Sequence, residues 1–376
     1  MKLSGVKVVG GVKVVGHIGQ SDNPAPEVVS KFATGGWGPN SLYGRGFVFN
    51  SDGTNQVTIF PSQPIAYNDQ FGSAGAAIAN DKVAIAARYA DSQQGAMYVY
   101  NTDGTGELRI VASDRATAGL QQFGESFAIN STKIAVGAKA FDGYRGHVYL
   151  YNIDGTNEII LVGHDSGDVF GESVDLSETK LVVGARGDDD VFSGSGSAYV
   201  YNLDGTGEVK ITASDPTANA KFGEVVNISD TKVAVASIEQ NSFTGAVYVY
   251  NLDGTGEVKV TASDASAGHS FGTSVAIGSK LVVGSPGSNN GNGTAYVYNT
   301  DGTGELKITA SDGASGDQFG SAVAITDTKI FVGARNENGS RGAVYVYNLD
   351  GTGEVKVTAS NGVPSDTIGA GVLGAQ

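Results

Sequence analysis

The stretch FGTSVAIGSKLVVG, residues 271–284, together with GTAYVYNTDGTGELKITA, residues 293–310, decides the fold. Ser274 to Ile277 is a short apolar run, Gly278 and Ser279 supply a tight turn, and Lys280 to Val283 returns as a second strand. A third follows at Ala295 to Tyr298. Asp301-Gly302 then turns the chain into a fourth, Glu305 to Ala310, where Leu306 and Ile308 alternate with Lys307 and Thr309. The inner runs are nearly all apolar and the last is half polar, so burial falls from the first strand to the fourth.

Outward from this unit, Asn-x-Asp-Gly-Thr recurs seven times, beginning at Asn50, Asn101, Asn152, Asn202, Asn251, Asn299 and Asn348, at intervals of 48 to 51 residues. Phe-Gly recurs in register at Phe71, Phe123, Phe170, Phe222, Phe271 and Phe319. Four antiparallel strands that become wetter outward make a propeller blade, whose inner strands lie between neighbouring blades while the outermost meets water. The expected fold is therefore all-β: a single seven-bladed β-propeller over residues 1–376, its blades four-stranded and antiparallel. Its N- and C-terminal strands should pair to close it. Asp366-Thr367-Ile368-Gly369 lines up with Asp317-Gln318-Phe319-Gly320, so residues 367–376 should hold the first strand of the closing blade. Val12 to Gly16 resembles Lys280 to Gly284 and should be the second strand, which leaves residues 17–45 as a non-repeat insertion or arm. A solenoid of equal period would not divide one unit between its ends.

Composition narrows the function. A net charge of −15 lacks the clustered Lys and Arg that phosphates demand, so nucleic acid and anionic membranes are not expected partners. There is no cysteine, hence no disulfide or thiolate metal site. Met1 to Gly16 has valine runs broken by Lys7 and Lys13, so it reads neither as a signal peptide nor as a membrane span.

The Phe-Gly, Ser-Val-Ala-Ile, Leu-Val-Val-Gly and Gly-Ala-Val-Tyr-Val-Tyr segments resemble FG-GAP repeats, the units of integrin α-subunit propellers and of many microbial surface or virion proteins. The resemblance covers about residues 44–374 and implies the fold far more narrowly than the function. Calcium-binding members carry an Asp-rich loop between the first two strands. Here that connection is as short as Ser229-Asp230-Thr231 or Gly278-Ser279, too short to wrap a cation that wants about six to eight oxygens. No metal or other cofactor is expected.

Other constellations have ordinary readings. The Asn-Leu-Asp-Gly-Thr-Gly-Glu turns mimic the opening of an EF-hand loop but carry Lys210 and Ala213 where later ligands would stand, so they read as hairpin turns. Twelve of the sixteen tyrosines form Tyr-x-Tyr pairs in third strands, and i and i+2 side chains share a sheet face, which favours packing between blades over a sugar-binding ladder. His17, His147, His164 and His269 show no metal spacing, and no nucleophile elbow or phosphate loop is present, so no catalytic residue is assigned.

In an up-and-down blade the first-to-second and third-to-fourth turns share one face, and the second-to-third loops and interblade links share the other. The turns are nearly identical in every repeat while the loops differ, so recognition is expected on the loop face. Its provisional binding residues are Trp37, in the 17–45 segment, Tyr144, Arg145, Arg186, Asp188, Asp189 and Asp190. Arg186-Gly187-Asp188 is an Arg-Gly-Asp tripeptide; a solvated loop is its default reading, with a cation or a partner as the alternative. The expected function is a noncatalytic structural or adhesion protein on a virion or other extracellular surface, foremost a phage tail or capsid component. It would contact other virion or surface proteins, or a host-surface glycan or receptor. A lectin or cell-surface adhesin is the alternative, and a polysaccharide-active enzyme stands behind both.

Overall fold

Seven antiparallel blades of four strands form a ring, as the sequence reading expects; five are separate sheets, and the closing blade joins blade one through parallel pairing of Val372 with Gly75 and Leu373 with Ala76. The computed structural model describes residues 6–9, 12–15, 31–36, 44–62, 69–115, 121–360, 368–369 and 372–375. Blades one to six begin with Phe71–Ala79, Ser126–Ile129, Phe170–Leu176, Val225–Ile228, Ser274–Ile277 and Phe319–Ile325. Blade five continues through Leu281–Ser285, Thr294–Tyr298 and Leu306–Ile308, close to the bounds read from its sequence. Among the described residues, no helix is long and apolar enough to cross a membrane.

Two kinds of contact seat one blade on the next. The first is apolar. Val282, Ala295 and Val297 of blade five pack against Phe319, Tyr345 and Tyr347 of blade six. Within blade six the Phe319 ring meets Tyr345 at 5.4 Å and Tyr347 at 6.2 Å, both edge-on, a geometry worth about 0.5–1.5 kcal/mol beyond the area it buries, and this cluster faces blade five. The Tyr-x-Tyr pairs are thus packing between blades. The second contact is backbone on backbone. A Cβ on Gly284 would lie 2.0 Å from the Gly320 carbonyl oxygen, and one on Gly293 would lie 2.0 Å from that of Phe319, so only glycine lets the blades approach this closely.

The closing blade takes its first strand, Val372–Ala375, from the carboxyl end, and pairs it antiparallel with Lys31–Gly36 through Phe32↔Ala375 and Ala33↔Gly374. Arg45–Asn50 and Val57–Ile59 complete it. One expectation is corrected here. The second strand is Lys31–Gly36, inside the segment read as an insertion, whereas Val12–Val15 pairs only with Val6–Val9 in a separate hairpin. The reason lies in spacing. The second strand needs a small residue four places after its lysine, glycine in most blades and alanine at Ala86 and Ala236, to face the next blade. Lys31 and Gly35 have that spacing, as do Lys280 and Gly284; Lys13 and Gly16 do not. A Cβ on Gly35 would sit 1.9 Å from the Gly72 oxygen.

The first strands surround a central cavity of about 690 Å³ lined largely by Ala, Val and Ile. Polar side chains stitch its wall: Asp175 accepts from Asn227 Nδ2 at 2.6 Å and from Ile228 N at 2.8 Å, and Asn227 Oδ1 accepts from Ile277 N at 2.6 Å. Burial pushes the Asp175 carboxyl up, to about 7.

Candidate binding face

The two faces of the ring differ in how their polar groups are used. On the turn face, each Asn-x-Asp-Gly-Thr closes on itself. In blade four, Asp253 Oδ1 accepts from the Thr255 N–H at 3.0 Å and its hydroxyl at 2.6 Å. Asn251 donates to Thr255 Oγ1 at 3.1 Å and accepts from Lys232 Nζ at 2.8 Å, while Gly254 supplies a φ of +79°. Bonding from the Thr255 hydroxyl, then its N–H, holds the Asp253 carboxyl below its ordinary value. One oxygen of the aspartate, Oδ1, is thus occupied twice within the turn.

The links use their polar groups to latch blades together. In blade six, with third and fourth strands Ala343–Asn348 and Val355–Val357, Tyr347 donates to Glu354 at 2.9 Å, and Glu354 accepts from the N–H and hydroxyl of Ser311 in the preceding link at 3.1 and 2.6 Å. Tyr345 donates to Asp312 at 2.8 Å, and Lys356 reaches the same carboxylate at 2.7 Å. Lys356, then Tyr345, keeps the Asp312 carboxyl below its ordinary value, and burial, then Asp312, pushes the Tyr345 phenol up. Blades four and five repeat the device with Tyr248, Asp215 and Lys259, and with Tyr296, Asp264 and Lys307.

Blade three breaks the rule. His164 stands where the link serine should be, 3.2 Å from Glu208 and stacked on Tyr199 at 5.3 Å. The carboxylate for Tyr199 and Lys210 comes from the loop instead, through Asp188 at 2.8 and 2.7 Å. The link aspartate of this blade, Asp165, is consequently exposed and has no side-chain partner among the described residues.

Four of the second-to-third loops vary in sequence yet repeat one backbone, whereas that of blade three is left-handed only at Gly194 and Gly196. Asp91 and Ser92, Asp142 and Gly143, Asn241 and Ser242, and Asn338 and Gly339 are left-handed, with φ between 48° and 69°. Gln93, Tyr144, Phe243 and Ser340 follow, at φ of 62° to 73°. Nearer the axis, ion pairs cross from blade to blade at the cavity mouth. Glu125 lies between Arg88 at 3.1 Å and Lys139 at 3.0 Å, and Glu172 between Lys139 and Arg186, both at 3.1 Å.

The provisional binding residues separate accordingly. Trp37 lies outside the described residues, as does most of the 17–45 segment. Tyr144 is exposed at its loop tip, and Arg145 pairs with Asp142 at 3.3 Å. Arg186 belongs to the ion pairs at the cavity mouth, so it ties blades together. Asp188 corrects the tripeptide reading: it is buried under Tyr199 and Lys210 and is not offered to a partner. Asp190 shares Lys210 at 2.6 Å, and Asp189 is exposed without a partner among the described residues. Sequence reasoning missed Val191, Phe192 and Phe243, all exposed at loop tips. Aligning the loops on the glycine before each third strand would have placed Phe243 opposite Tyr144.

Four segments, residues 156–201, 206–250, 255–298 and 303–347, match the FG-GAP repeat. No curated protein matches the sequence. Among solved structures, TolB from Acinetobacter baumannii aligns at 15% identity with a TM-score of 0.47, over 76% of this chain and 64% of TolB, less than two thirds of its length.

Proposed function

From the premise that this chain is a seven-bladed propeller of FG-GAP repeats, we propose that it is a noncatalytic binding scaffold that engages a partner through its loop face. The contrast between the faces carries this reading. The turns bond their polar atoms to one another, whereas four of the loops hold one backbone and all of them change their side chains. A rigid frame with varied side chains suits selective contact, because little conformational freedom is lost when a partner arrives. The finer reading is a structural or adhesion protein displayed on an exterior, foremost a phage tail or capsid surface. There it would contact other virion or surface proteins, or a host-surface glycan or receptor. The FG-GAP resemblance supports that placement, and the net charge of −15 speaks against nucleic acid.

The test places a photo-crosslinking residue at Tyr144 or at Asp253 and irradiates particles and surface fractions from the producing cells. A crosslinked partner from Tyr144 and none from Asp253 is expected, with no turnover on a polysaccharide panel. Crosslinks from Asp253 alone, or glycan turnover, would overturn the proposal.

A further inference from the structure

Three consecutive blades present large apolar side chains at their loop tips. Tyr144 of blade two, Val191 and Phe192 of blade three and Phe243 of blade four are 50%, 45%, 51% and 48% exposed. The matching tips in blades one and six are Gln93 and Ser340. Backbone bonds pin each of the three tips to the link that follows. Val169 N donates to Tyr144 O, Asn219 N to Ser193 O and Ser270 N to Phe243 O, all at 2.8 Å. Rings held open to water on a fixed frame are what a buried anchor requires.

Charge sets the chemistry of the occupant. The basic side chains of this sector are committed: Arg145 to Asp142, Lys210 to Asp188 and Asp190, Lys221 to Glu239, and Lys259 to Asp215. Asp165 and Asp189 are not neutralised by any described residue. Asp165 adjoins the tip of blade two, since the neighbouring Ser166 hydroxyl donates to Gly143 O at 2.9 Å, and Asp189 stands two residues before Val191. A second copy of this chain would bring another net charge of −15 to the same place, which disfavours self-association.

We propose that Tyr144, Val191, Phe192 and Phe243, with Asp165 and Asp189, form the docking surface for a protein segment that combines apolar and basic side chains. The inference rests on the loop-face reading and narrows it to one sector and one partner chemistry. The rings supply the desolvated contact, and the free carboxylates select and steer the basic groups.

The experiment measures fluorescence anisotropy of a labelled synthetic peptide in which Arg alternates with Leu and Trp. A version with Glu for Arg and a chitohexaose probe run beside it. The Arg peptide should bind, and more weakly as salt rises. The double variant F192A/F243A should lower its affinity about tenfold. D165N/D189N should lower it about threefold and flatten the salt dependence. D253N/D301N removes equal charge from the turn face and should leave binding unchanged, with circular dichroism confirming that every variant is folded. Equal losses from the two aspartate pairs, equal binding of the Glu peptide, or capture of the sugar instead would overturn the proposal. A Tyr144 crosslink combined with peptide binding indifferent to these substitutions sinks the sector and spares the face; crosslinks from Asp253 alone sink both.

Discussion

Gly245 and Gly268 differ only in what surrounds them, and substituting each by alanine should separate two costs. Both lie where blade four meets blade five, and their φ values are +80° and +81°. Alanine at either carries the strain of a left-handed backbone, about 1–2 kcal/mol. At Gly268 the new Cβ meets nothing within 4 Å, so that strain is the whole effect. At Gly245 it would stand 2.0 Å from the Phe271 carbonyl oxygen and 2.9 Å from the Phe271 nitrogen. Those are backbone atoms of the next blade and cannot swing aside, so overpacking adds about 1–3 kcal/mol more. Urea unfolding at matched slopes should therefore place G245A below G268A by about that difference. Heat is the poorer readout, since one kcal/mol moves the midpoint of so long a chain by only about 1 °C. Equal destabilisation of the two variants would refute the claim that blade contact dictates the glycine.

The latch carboxylates give a second contrast. E305A removes an acceptor shared by Tyr298 and Ser263 and should cost about 0.5–1.5 kcal/mol, since Tyr298 keeps the Thr261 carbonyl at 3.4 Å and Ser263 faces solvent. E305Q should cost under about 1 kcal/mol, because Gln56 already accepts from Ser360 N at 2.8 Å in the closing blade; a larger loss for Gln than for Ala, by denaturant titration, would overturn this. Val169 takes φ +59° where other blades place Gln70, Gln122, Lys221, Ser270 and Gln318. V169N should gain about 1 kcal/mol, measured the same way, and a loss would show that the valine packs to better effect than its strain costs. Asp312 titrates below its unfolded value of about 4, so its contribution is present above that pH and fades as the pH falls through the folded value. D312N should be less stable at pH 7 and show a shallower acid limb in a stability-versus-pH series; an unchanged limb would remove Asp312 from the latch.

The fold was legible because its strongest contacts recur in sequence. Phe319, Tyr345 and Gly293 stand at one packing junction, and that junction is written at nearly every interface. The closing blade was harder. Phe32 stands there in place of the usual Val, Ile or Leu, and Phe47 and Phe49 in place of the usual tyrosines, with Phe32 stacked on Phe49 at 5.2 Å and 5.3 Å from Phe331. Its second strand therefore looked unlike a repeat, while the valines of Val12–Val15 looked like one. The binding sector was legible only in part. Tyr144 could be singled out as an aromatic in a variable loop, but the burial of Asp188 follows from the missing link contact at His164, which depends on side-chain directions that spacing does not reveal. The exposure of Phe243 depends on three successive left-handed residues, two of them neither glycine nor asparagine.

The ring is fastened by what amounts to an ordinary hairpin cut at its turn. In blade seven, Lys31 opens one strand beside Ala375 at the end of the other, with Phe32 facing Ala375 and Ala33 facing Gly374. Force that entered at Lys31 and left at Ala375 would load these pairs one after another, as a zipper opens, and not all at once as strands sliding past each other would. The same adjacency makes this blade the natural place to join the two strands by a short turn and to open the chain at another blade. A circular permutant built that way gives up the Val6–Val15 hairpin but keeps every strand pairing of the ring, while moving the mechanical weak point to a site of choice.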